Sequence, residues 1–137
     1  MTVPSSRTRP ASIGPAAPPR AVVVSAAFDV VLVVVFAAIG RASHGEDVWG
    51  GLAVTAWPFV VALVLGWLVV RAWRAPDAPV RTGLAVWAVT VAGGMVLRAV
   101  SGQGVQVAFI IVAAVVLLLF LVGRRALTRL IARVGRR

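Results

Sequence analysis

The sequence predicts an all-α protein: a four-transmembrane-helix bundle, antiparallel and up-down, with both termini cytoplasmic. Three observations carry that reading. Of 137 residues, 61% are hydrophobic and only 13% charged, whereas a soluble domain has about 45–50% and about 25%. Four apolar runs, at 21–40, 52–70, 83–100 and 105–122, are close to the ~20 residues that cross a ~30 Å hydrocarbon core. The basic residues, all arginine, are spread unevenly around those runs.

Residues 1–20 hold five prolines among Ser, Thr, Ala and Arg. Such a segment cannot bury enough apolar surface to offset its ordering entropy, which predicts a disordered cytoplasmic tail. The first run (AVVVSAAFDVVLVVVFAAIG) carries one acid, Asp29. It exceeds the 7–15 residues of a signal-peptide core and lacks a following cleavage pattern, so it reads as an uncleaved helix. The valines of all four runs could suit strands, but barrel strands alternate in polarity and these runs are apolar on every face. In lipid each backbone donor must be satisfied within its own segment, which selects helix.

The second run contains Trp57-Pro58. A proline there removes the hydrogen bond to the Val54 carbonyl and predicts a helix kink. Ala62 and Gly66 in this run, and Gly83, Ala88, Ala92, Gly93 and Gly94 in the third, mark faces where helices approach closely. A tight SGQG turn at 101–104 joins the third and fourth runs as a hairpin. Trp49 and Trp57 near one interface, and Trp67, Trp73 and Trp87 near the other, read as interfacial anchors.

Beyond the fourth run, Leu127, Leu130, Ile131 and Val134 recur at helical spacing while Arg125, Arg129, Arg133 and Arg136 take other faces. This basic amphipathic tail, 124–137, either continues the last helix or lies along the inner membrane surface. Arg124, Arg125, Arg129 and Arg133 are its candidate lipid headgroup ligands, each contributing on the order of 1 kcal/mol near an anionic leaflet. A purely topogenic tail is the alternative. Four crossings put twelve arginines on the side of the termini and two, Arg41 and Arg98, on or toward the other. The positive-inside rule then places both termini in the cytoplasm of a multi-pass protein of the cytoplasmic (plasma) membrane.

Candidate functional polar residues are few: Asp29, Arg98, Arg41, His44, Gln103 and Thr90. Counted from residue 21 at ~1.5 Å per residue, Asp29 falls ~12 Å into the core, close to the midplane. An acid there must be neutral, paired, hydrogen-bonded or in contact with water. It is either a proton-binding group or a packing contact, with Thr90 at a similar depth as a hydrogen-bond partner. Arg98 would need a helix shift of about one turn, ~5.4 Å, to reach Asp29. Snorkelling to the outer interface, toward Ser101, Gln103, Gln106, Glu46 or Asp47, is the simpler expectation. His44, Glu46 and Asp47 have metal-ligand elements but no second histidine or thiol, so they read as capping and pairing groups and no metal is expected.

The chain has no cysteine and a single histidine, which excludes thiol catalysis, thiolate metal sites and disulfide scaffolds. Its arginines flank apolar blocks and do not interleave with aromatics, so no nucleic acid partner is expected. No Ser-His-Asp set, P-loop or zinc motif occurs, so no enzyme and no cofactor are expected. The expected partner is the lipid bilayer, including anionic headgroups, with a homo-oligomer or a membrane partner protein as further candidates. The functional expectation is a non-enzymatic membrane protein acting through helix or lipid contacts. The alternative is a small proton- or ion-coupled transporter using Asp29.

Three strings, FDVVLVVVFAAIGRASHGE, TAWPFVVALVLGW and MVLRAVSGQGVQVAF, together resemble the uncharacterised membrane family DUF3054, over about residues 22–123. The resemblance implies that Asp29, Arg41, His44, Trp57, Pro58, Phe59, Arg98, Gly102 and Gln103 belong to the family's characteristic strings. It implies no activity. The layout of four spans with an acid in the first is also similar to that of small multidrug-resistance transporters, but their nearly balanced basic loops are not matched here.

Overall fold

A computed structural model describes residues 16–136. Arg7, Arg9 and most of the proline-rich tail, with Arg137, lie outside the described residues. The chain forms four long helices: α1 (Pro19–Ser43), α2 (Val48–Val70), α3 (Ala85–Val100) and α4 (Val107–Val134). A short 3-10 turn, Ala72–Arg74, and a π-helical turn, Pro79–Leu84, lie between α2 and α3. No strand occurs among the described residues. Four helical stretches, counting the π turn with α3, are long and apolar enough to cross a membrane. The helices run up and down; one end of the bundle (the termini end) carries the start of α1, the end of α4 and the 71–84 connection. The opposite end (the hairpin end) carries 44–47 and 101–106.

Local chemistry accounts for the helix boundaries. Pro19 sits in the first turn of α1, where its fixed φ suits the helix and its missing N–H is not needed. Gly45, at φ 68°, turns the chain out of α1. Two residues on, the Asp47 carboxylate accepts from the N–H groups of Trp49 and Gly50 at 3.2 and 3.0 Å and caps α2. Pro58 lies inside α2, buried, without ending it. The π turn starts with the Gly83 N–H donating to the Ala78 carbonyl at 2.9 Å, five residues back.

The helices exceed the apolar runs at both ends of α1, at the start of α2 and most of all at the end of α4. It continues from Val122 to Val134 without a break, because nothing between them stops a helix and Gly123 is tolerated. The 124–137 segment is therefore chiefly the last turns of a membrane helix. Consequently α1 and α4 both extend past the level at which α2 ends, and the 71–84 connection folds in beside them.

The core is apolar and includes Val33, Phe36, Phe59, Leu63, Val86, Leu117 and Leu121, none more than 3% exposed. Phe36 and Phe59 meet edge to face at 5.3 Å between centroids. α2 and α3 form the most extensively packed pair, and small residues allow it. A Cβ added at Gly93 would stand 3.0 Å from Ala62 Cβ, and one at Gly94 would run into the Phe59 ring. In lipid, where apolar burial gives little association energy, such close approach supplies the dispersion contacts that hold helices together.

Candidate functional site

The polar side chains gather in two places, one at each level of the bundle. Toward the termini end, Asp29 of α1 is wholly buried. Its Oδ1 accepts from Arg124 Nε at 2.7 Å and Arg125 Nη1 at 3.2 Å. Its Oδ2 accepts from Arg125 Nη2 at 2.5 Å and Trp67 Nε1 at 2.9 Å. Both oxygens act only as acceptors, which is the hydrogen-bonding role of a carboxylate.

The rest of each guanidinium is also satisfied. Arg125, fully buried, donates to the Pro76 carbonyl through Nε at 2.8 Å and to the Leu121 carbonyl at 2.6 Å. Arg124 donates to Ser25 Oγ at 2.5 Å and to Asp77 Oδ1 at 3.3 Å, and Ser25 in turn donates to Asp77 at 3.3 Å. Two arginines thus meet two aspartates, so the cluster is formally neutral, and it ties α1, α2, α4 and the 71–84 connection together. Gly83 makes room for it: a Cβ there would lie 3.2 Å from Arg125 Cδ.

This arrangement corrects several sequence expectations. Arg124 and Arg125 do not face lipid headgroups; their side chains are 15% and 0% exposed and turn inward to Asp29. The reason is electrostatic: a buried carboxylate needs a counter-charge, and the first turn of α4 beyond the apolar run is where one reaches it. Thr90 does not bond Asp29 but donates to the Val86 carbonyl of its own helix at 2.7 Å. Asp29 stands level with Trp67 near the end of α2, beside the 71–84 connection that Arg124 and Arg125 also contact. Trp67 is more than an interfacial anchor, since its indole N–H is spent on Asp29. Arg129 and Arg133 remain exposed on the end of α4.

At the hairpin end, Arg41 donates to the Asp47 carbonyl from Nε at 2.8 Å and from Nη2 at 2.7 Å. It also donates to Thr55 Oγ1 at 3.2 Å and pairs with Glu46 at 2.8 Å. Arg98 of α3 donates to Gln103 Oε1 at 2.9 Å and to the Gln103 carbonyl at 3.3 Å. Its guanidinium lies 4.4 Å from the centre of the Phe109 ring. Arg41, Arg98, His44, Glu46, Gln103 and Gln106 line a cleft of about 610 Å³, whose apolar wall includes Phe36, Phe109 and Val112. Trp57, 40% exposed, and Pro58 are not among its lining residues. No group of three or more metal-ligating side chains occurs among the described residues.

Residues 26–128 match the family described as a protein of unknown function, DUF3054. The chain belongs to the DUF3054 family. The matched stretch runs past the fourth apolar run and takes in the hairpin-end cluster and, of the termini-end cluster, every residue but Ser25, Arg124 and Arg125 included. No curated protein and no solved structure matches this DUF3054 chain.

Ser25, Trp67 and Asp77 are site residues that sequence reasoning missed, and Arg124 and Arg125 were placed facing the wrong way. One signal points to the two arginines. Pairing with a cation is one way to accommodate an acid inside an apolar run, and Arg124–Arg125 lie just past the least interrupted run, after Gly123.

Proposed function

We propose that this DUF3054 chain is a non-enzymatic, multi-pass protein of the cytoplasmic membrane, with both termini inside, that works by binding at its hairpin-end cleft. In this reading the Asp29–Arg124–Arg125 cluster is a structural lock, holding the helices in register so that the opposite end can stay open. The observation that carries it is the contrast between the two polar sets. The termini-end set is charge-balanced and buried at Asp29 and Arg125, with Asp77 at its exposed edge and each oxygen of Asp29 taken by two donors. The hairpin-end set lines an open cleft. A buried, fully paired cluster serves rigidity, whereas ligand sites are concave and carry a few convergent polar groups among apolar walls. The arginine bias supports the orientation, and Arg129 and Arg133 are left to contact acidic headgroups.

The same observation weighs against proton-coupled transport through Asp29. A carrier acid must meet water at some stage, and this one is wholly buried and lies outside the cleft. Reconstituted protein under an imposed pH gradient is expected to show no proton flux, and Asp29→Asn is expected to lower thermal stability. Flux that wild type supports and Asp29→Asn abolishes would overturn the reading. Tagged termini found outside would overturn the orientation.

A further inference from the structure

The geometry points to an amphiphile with a carboxylate or phosphate head as the ligand class of the hairpin-end cleft, its head on Arg98 and its chain along Phe109 and Val112. This inference rests on the binding function proposed above and adds the ligand's chemistry.

Of the arginines described at the bundle's two polar clusters, Arg124 and Arg125 have Asp29, and Arg41 has Glu46 at 2.8 Å. Arg98 has no acidic side chain within ion-pair distance among the described residues. Its partners are the neutral amide and carbonyl of Gln103 and the face of Phe109. A cation on a membrane helix is costly unless paired, and neutral acceptors compensate it only partly.

Arg98 Nε is shielded from solvent and has no hydrogen-bond partner among the described residues. A buried guanidinium donor left unpaired carries a desolvation cost. The guanidinium presents donors in a planar fork, which suits the oxygens of a carboxylate or phosphate.

Shape and lining then narrow the class. Beside Arg98 the cleft offers Gln106 and His44 as further hydrogen-bonding groups. Beyond them it is walled by Phe36, Ala108, Phe109 and Val112, and its volume of about 610 Å³ is far more than a bare inorganic anion fills. Val112 is half exposed on the outer face of α4, so an alkyl chain could leave the cleft sideways along that helix. Head and chain together satisfy both the cation and the apolar wall.

The test uses the full chain in phosphatidylcholine nanodiscs. Equilibrium dialysis measures binding of dodecyl phosphate and dodecanoate, with dodecanol, dodecyltrimethylammonium and inorganic phosphate as comparisons. The anionic amphiphiles are expected to bind about tenfold or more tightly than the neutral, cationic and chainless probes. Arg98→Gln is expected to remove that preference. Ala108→Trp, which fills the cleft without altering charge, is expected to weaken all chain-bearing probes and guards against misfolding of the first variant. Mass spectrometry of lipid carried by the purified chain, with phosphatidylglycerol nanodiscs in parallel, separates the two sources of such a head. Retention of phosphatidylglycerol assigns the bilayer, and binding only of added amphiphile assigns the aqueous phase. Equal binding of anionic and neutral amphiphiles, or affinity unchanged in Arg98→Gln, overturns this inference and leaves the binding function standing. Inorganic phosphate binding as tightly as dodecyl phosphate also overturns it. Failure of every probe to bind overturns the binding function itself.

Discussion

Asp29 and Arg125 lie 96 residues apart in the chain and join in the interior through two hydrogen bonds, with neither side chain exposed to solvent. That pairing fastens the first helix to the last. Breaking a buried pair by removing one partner typically costs about 3–5 kcal/mol, because the other charge is left uncompensated. Asp29→Asn and Arg125→Gln should each cause a large loss of thermal stability in detergent. The double variant should be more stable than the sum of the two losses implies, since neither charge is then stranded. Circular-dichroism melts of the four proteins measure that coupling; strictly additive losses would contradict the pairing.

Trp67 contributes a single neutral donor to the same carboxylate. Trp67→Phe keeps most of the ring volume and removes the N–H, so its expected cost is about 1 kcal/mol, well below that of Asp29→Asn. The comparison of the two melts checks the order.

The α2–α3 contact depends on glycine at particular positions. A Cβ at Gly94 would collide with the Phe59 ring, whereas one at Gly123 meets nothing within 4 Å. Gly94→Ala should therefore cost about 1–3 kcal/mol through overpacking. Gly123→Ala should be neutral or stabilising by up to about 1 kcal/mol through helix propensity. Thermal denaturation of both variants decides it, and equal melting temperatures would contradict the helix packing.

Asp47 caps α2 with both carboxylate oxygens while its carbonyl holds Arg41. Asp47→Ala should cost about 1 kcal/mol, and Asp47→Ser should recover most of it. The backbone carbonyl is untouched by either change, so the anchorage of Arg41 should survive in both. Thermal melts give the cost.

The arginines near the end of α4 should divide by burial. Arg129→Gln with Arg133→Gln should leave thermal stability unchanged while weakening binding of the detergent-solubilised chain to acidic over neutral vesicles, by about 1 kcal/mol per arginine at low salt. Arg124→Gln should instead lower stability, since it pairs with both Asp29 and Asp77. Vesicle co-flotation and melting curves, measured side by side, separate the two roles.

Much of this protein is legible without coordinates. The four apolar runs identify the spanning helices because a bilayer demands length and uniform hydrophobicity, both of which are local properties. The capping residue Asp47 and the glycines of the 101–104 turn act within a few residues of themselves and can be read in the same way. The helix ends were less legible: Val122 is the last residue of an apolar run, yet α4 runs on to Val134, since solvation and helix propensity have different limits.

The class of molecule, the number of helices and the scarcity of charges are therefore properties of the linear chain. How polar groups are shared emerges from the packed fold: Asp29 with Trp67, Arg124 and Arg125, Thr90 with its own helix, and Arg98 left with neutral partners beside a cleft. The physical reason is that pairing depends on the relative heights and rotations of helices. Those follow from packing between residues far apart in the chain, such as Gly94 against Phe59, and from the inward fold of the 71–84 connection. Hydropathy carries no record of either.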